Sequence, residues 1–103
     1  MSEAETEARC EVAVRNEEGL HARPVMMFVD VASRHVSTIT VRNLTRQGEV
    51  VDGKSAMQMM LLEATRGCVL GIEARGVDAQ EAVNALAALV EAGFKPGSHR
   101  CSS

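Results

Sequence analysis

Between Ala8 and Arg15 the side chains alternate, with Cys10, Val12 and Val14 on one side and Arg9, Glu11, Ala13 and Arg15 on the other. A period of two with one apolar side predicts a half-buried β-strand. After the turn Asn16–Leu20 the period changes. Val25, Phe28, Val29 and Ala32 recur at helical spacing, which predicts an amphipathic helix to about Ser33 with those residues as its buried stripe. Met26 falls outside the stripe, and Ser33-Arg34-His35 closes the helix. Alternation returns at Ser37–Val41, where Ile39 and Val41 point inward and Thr38 and Thr40 outward. The polar run Asn43–Gly48 reads as a hairpin loop, and Glu49–Asp52 as a short third strand carrying Val50 and Val51.

Asp52-Gly53-Lys54-Ser55 then turns into a second, short helix from Ala56 to about Leu62, with Ser55 as its N-cap. Gly67 marks a turn before a fourth strand, Cys68–Ala74, whose apolar positions are Val69, Leu70 and Ile72. Gly76-Val77-Asp78 turns again. Asp78 suits an N-cap and Glu81 stands at capping-box spacing, with Asp in place of the usual Ser or Thr. The last helix, Ala79–Glu91, should bury Ala82, Leu86, Leu89 and Val90, and Gly93 ends it. The order β-α-β-β-α-β-α predicts an α+β fold, one antiparallel sheet with helices packed on one face.

Composition narrows this picture. A chain of 103 residues holds one small domain. We place that domain at residues 8–94, between a disordered acidic tail, 1–7, and a flexible tail, 95–103. At 46% hydrophobic residues a packed core is within reach, but Phe28 and Phe94 are the two aromatic residues, so the expected core is aliphatic and Met-rich. The formal net charge of −3 and the lack of a basic face argue against a nucleic-acid partner. No apolar run approaches the roughly 20 residues of a membrane span, and the acidic start is unlike a secretory signal, so a cytoplasmic location is expected. Cys10, Cys68 and Cys101 are odd in number and far apart. They make neither a disulfide framework nor a zinc ligand set and read as free thiols. His35 and His99 have no motif around them, and no acidic or His cluster has metal spacing.

The candidate chemistry sits in Asn16-Glu17-Glu18-Gly19-Leu20-His21-Ala22-Arg23-Pro24-Val25. Pro is favoured in the first turn of a helix because its φ is already set and no N–H is missed there. A helix therefore begins near Ala22 or Arg23, with His21 at its N-terminal mouth. That mouth has unpaired N–H groups and a partial positive charge, and Arg23 adds a planar fork of donors that matches phosphate oxygens. Phosphoryl transfer needs mostly positioning and charge neutralisation, so an unprotonated imidazole nitrogen in such a mouth is a credible phosphoryl acceptor.

These residues resemble a known family. Gly19-Leu20-His21-Ala22-Arg23-Pro24, preceded by Asn16, is similar to the active-site motif of HPr, the histidine phosphocarrier of the bacterial phosphoenolpyruvate:sugar phosphotransferase system. Val51-Asp52-Gly53-Lys54-Ser55-Ala56-Met57 resembles the segment around that family's regulatory serine, and Arg75–Ala82 its turn into the last helix. The resemblance spans roughly Ala8 to Phe94. It implies an open-faced β-sandwich of four antiparallel strands and three helices, in a monomeric carrier rather than an enzyme, without cofactor. It also implies phosphorylation of His21 on Nδ1, with Arg23 stabilising the phosphate. Phospho-enzyme I would be the donor and enzyme IIA domains the acceptors. Ser55 matches a site of HPr kinase/phosphorylase, and Met26, Ala56, Met57 and Met60 match positions on the family's partner-docking patch. The rival expectation is a regulatory binding module, controlled by Ser55 phosphorylation through a transcriptional regulator and without sugar transport. The loop Arg42–Gln47 is longer than is usual in the family, and Ala56 stands where a larger aliphatic residue is common.

Overall fold

The computed structural model describes residues 6–94. The elements are β1 (Glu7–Ala13), α1 (Ala22–Ser33), β2 (Thr38–Asn43), β3 (Val51–Asp52), α2 (Ala56–Met60), β4 (Val69–Arg75) and α3 (Ala79–Glu91). Both expected tails, residues 1–5 and 95–103, lie outside the described residues, and so do His99 and Cys101. The strands form one antiparallel sheet in the order β1-β4-β2-β3. With three helices, this is an open-faced α+β sandwich, as expected from the element order.

Register explains the two faces. Cys10, Ile72, Val41 and Val51 align across all four strands and point into the core. One residue along, Arg9, Glu73, Thr40 and Asp52 form the matching row on the other face. On that open face Arg75 meets Glu7 at 2.8 Å and Arg9 meets Glu73 at 3.8 Å. Exposed pairs of this kind contribute at most about 1 kcal/mol each, so they keep the face wet rather than hold the sheet together. The helices supply the rest of the core. α3 packs against β1 and β4, while α1 packs against α3 and α2. Phe28, Met59, Leu70, Ile72 and Leu86 are fully buried.

Several boundaries moved for physical reasons. β1 starts at Glu7, because Glu7 pairs with Arg75. It ends at Ala13, although Val14 stays buried and bonds Cys68 O at 2.9 Å. β3 holds only Val51 and Asp52, and Val50 is exposed, since alternation allows one of two adjacent valines to face inward. In α3, Ala79 and Val83 join Ala82, Leu86 and Val90 in the core, and Leu89 is only partly buried. The expected Met-rich core is a correction. Met59 is buried and Met27 partly so, but Met26, Met57 and Met60 are exposed, so aliphatic residues do nearly all the packing.

The capping box at α3 also fails. Asp78 occupies the N-cap position, but its side chain makes no cap hydrogen bond. Its carboxylate instead accepts from Val36 N, Ser37 N and the Ser37 hydroxyl, clamping the α1–β2 turn to the start of α3. Gly76 lets the two segments approach this closely. At φ +151°, a Cβ there would lie 2.6 Å from Ser37 Oγ.

Candidate functional site

The polar turn before α1 is folded by its own main chain. Gly19 N donates to Asn16 O at 3.1 Å, and Asn16 Nδ2 donates to Gly19 O at 2.7 Å. Gly19 has φ +71°, and a Cβ on it would lie 2.5 Å from Ala64 O and 2.9 Å from Thr65 Cα. The position therefore demands glycine twice, for conformation and for space. Leu20 is buried, and its N–H donates to Ala64 O at 2.9 Å, so the segment after α2 supports the turn from below. These contacts present His21 at the mouth of α1 on a backbone with little freedom.

His21 is the N-cap of α1, in extended conformation, and its side chain makes no cap hydrogen bond. The first turn carries two unpaired donors. Val25 N returns to His21 O at 3.0 Å, and Pro24 has no N–H to offer. Only the Ala22 and Arg23 N–H groups are then left without an intrahelical partner. Arg23 is exposed and makes no hydrogen bond or ion pair among the described residues, so its guanidinium is available. The expected start of the helix, the role of Pro24 and the position of His21 at the mouth all agree with this geometry.

One neighbour was not anticipated. Glu18 Oε1 lies 2.8 Å from His21 Nε2, with the carboxylate largely in solvent and the ring partly so. The only signal for it in the sequence was a carboxylate three residues before the His, and the turn had to be known before the two could be paired.

Ser55 is the N-cap of α2, as read from the sequence, and its Oγ accepts from Gln58 N at 3.2 Å. Lys54 Nζ beside it donates to His35 O at 2.7 Å, and His35 Nδ1 lies 3.1 Å from Val31 O. His35 thus serves the end of α1 and the turn before α2.

Met26 on α1 and Met57 and Met60 on α2 are 56%, 79% and 44% exposed, on two helices that pack together. Ala56 is half-buried against the core. Leu61, absent from the sequence-based set, is exposed as well. Among the described residues no cluster of His, Cys, Asp and Glu could hold a metal, and no helix is long and apolar enough to cross a membrane.

Residues 8–92 match the family model for the PTS HPr component phosphorylation site. The chain belongs to the HPr family of phosphocarriers. It is 40% identical over 83 residues to the phosphocarrier protein NPr of Proteus mirabilis, covering 81% of this chain and 90% of that one. It is 40% identical to the phosphocarrier protein HPr of Pseudomonas aeruginosa, covering 84% and 94%. A 42% identical stretch in the multiphosphoryl transfer protein of Haemophilus influenzae spans 79% of this chain but only 16% of that longer protein. Among solved structures, HPr from Thermoanaerobacter tengcongensis superposes with a TM-score of 0.79 at 37% identity, covering 84% and 94%. The family is one of carriers rather than catalysts, and its setting is the phosphotransferase system.

Proposed function

We propose that this protein accepts a phosphoryl group from phospho-enzyme I on Nδ1 of His21 and passes it to enzyme IIA acceptors. The observation that carries this is the solvent-accessible imidazole of His21 at the mouth of α1, with two free N–H groups and an unpaired Arg23 in the same turn. Membership of the HPr family supports a donor and acceptors within the phosphotransferase system. Transfer of a phosphoryl group is mainly a matter of in-line positioning and charge stabilisation. The helix start and Arg23 meet the second need once the phosphate is on the ring. The exposed methionines Met26, Met57 and Met60, with Ala56 at their edge, serve as the docking surface. Unbranched, polarisable side chains can repack against several partners.

Ser55 is the proposed regulatory site, phosphorylated by an HPr kinase/phosphorylase. Phosphate there would place about two negative charges beside the methionine surface and so act on docking. A transcriptional regulator would read the same modification.

The test is incubation with phosphoenolpyruvate and enzyme I. Acid-labile phosphate should appear on the protein, be lost in His21→Ala, and discharge to an enzyme IIA domain. Undiminished labelling of His21→Ala would refute the assignment. Kinase and ATP should give acid-stable phosphate that Ser55→Ala removes.

A further inference from the structure

Among the described residues Glu18 is the one carboxylate set against the His21 ring, at 2.8 Å from Nε2. Its neighbour Glu17 turns instead to Arg66, at 4.0 Å. A carboxylate at that distance can only accept, so Nε2 must carry a proton for the contact to be favourable. In a neutral imidazole one nitrogen is protonated and the other holds the lone pair. Fixing the proton on Nε2 therefore leaves the lone pair on Nδ1.

We propose that Glu18 is a positioning residue for phosphoryl transfer, selecting the tautomer of His21 whose nucleophilic nitrogen is Nδ1 and neutralising the ring while it carries phosphate. This rests on the phosphocarrier reading of His21. As the group is received, the Nδ1 lone pair attacks phosphorus, a P–N bond forms, and the bond from phosphorus to the donor breaks with its electron pair leaving on the donor. Nε2 keeps its proton, so the phosphorylated ring is formally cationic, and the Glu18 carboxylate balances that charge. On discharge the P–N electrons return to Nδ1 and the neutral Nε2–H tautomer is restored. No proton has to enter or leave in either direction. The site thus divides its charges by ring edge. The helix start and Arg23 would serve the phosphate, and Glu18 the ring proton.

The experiment uses full-length protein with 15N-labelled histidine, comparing native, Glu18→Leu and Glu18→Gln. In the unphosphorylated native protein, with the imidazole neutral, 15N shifts should report Nε2 as protonated and Nδ1 as bare. Glu18→Leu should lower the ratio of the Nε2–H to the Nδ1–H form by roughly fivefold, equivalent to about 1 kcal/mol. Glu18→Gln should keep most of the preference, because its amide oxygen still accepts. In turnover by enzyme I, Glu18→Leu should lower kcat several-fold with KM for the carrier unchanged. An unmoved tautomer ratio in Glu18→Leu would overturn the proposal, and so would a rise in KM alone, which would make Glu18 a docking contact. The 15N measurement needs no enzyme I. Failure of the native protein to take up label would therefore refute the phosphocarrier reading, while the tautomer ratio would still decide whether Glu18 sets the ring's tautomer.

Discussion

His21 and Ser55 occupy equivalent places, each the extended residue just before the first turn of a helix, and their side chains are used in opposite ways. Ser55 spends its oxygen on its own helix, accepting from Gln58 N. The His21 side chain gives nothing to α1 and holds its ring outward against Glu18. The difference follows from what else holds each helix. α1 runs for 12 residues and buries Pro24, Val25, Phe28 and Ala32. α2 runs for five and buries only Met59. Short helices are marginal by themselves, so α2 needs its cap. α1 is held by its buried stripe, and its N-cap side chain is free for chemistry.

If the turn is what frees His21, then disturbing the turn should do more harm than touching either cap. Gly19→Ala places a Cβ against the Ala64 and Thr65 main chain at a positive φ. A loss of roughly 1–3 kcal/mol in chemical denaturation is expected, together with slower labelling by enzyme I, because strain and displacement act on the residue two before His21. A neutral Gly19→Ala would mean that the Ala64 segment simply moves aside, and that the site is not held by it.

The third helix start sharpens the contrast, because the Asp78 side chain serves neither its own helix nor solvent. Ser37 and Val36 hold its carboxyl below the ordinary carboxylate value, the Ser37 hydroxyl being the largest cause and the Val36 and Ser37 N–H groups adding to it. A depressed value stabilises the fold above the unfolded carboxylate range, and that contribution is lost as pH falls through the folded value. Asp78→Ala should therefore melt at lower temperature than the native protein at pH 7. The gap should close on acidification below about pH 3.9, the ordinary Asp value. A gap independent of pH would mean that packing, not the charged carboxylate, is what Asp78 contributes.

Asp78 also shows where sequence reading stops. Spacing alone offered a capping box with Glu81, whereas the carboxylate's real partners lie 41 and 42 residues away and become visible only once the α1–β2 turn meets the start of α3. The local signals held. Alternation found β1 and β2, helical spacing found Val25, Phe28 and Ala32, and Pro24 put the start of α1 near Ala22 or Arg23, with Ala22 the observed first residue. What stayed open was the face in short elements. Val50 and Val51 are adjacent, and so are Met59 and Met60, and in each pair only the fold decides which one is buried. At the site, His21, Arg23 and Ser55 were legible because motif and helix-end chemistry are local. Glu18 was not, since the turn Asn16–Leu20 allows many placements of its side chains.

The smallest expected effects come from the two caps themselves, and they test the opening contrast most directly. Ser55→Ala removes the oxygen that Gln58 N uses, so it should cost about 1 kcal/mol, within the range of roughly 0.5–2 kcal/mol for losing a capping side chain. His21→Ala removes no cap bond, only the exposed contact with Glu18, and pairs of that kind are worth roughly 0–1 kcal/mol. Its stability should thus stay within about 0.5 kcal/mol of the native protein, the usual range for surface substitutions, while its labelling is abolished. Parallel urea titrations of the two variants decide the matter. A His21→Ala loss as large as that of Ser55→Ala would show that the ring supports the start of α1 after all, and that its two uses compete whenever phosphate is bound.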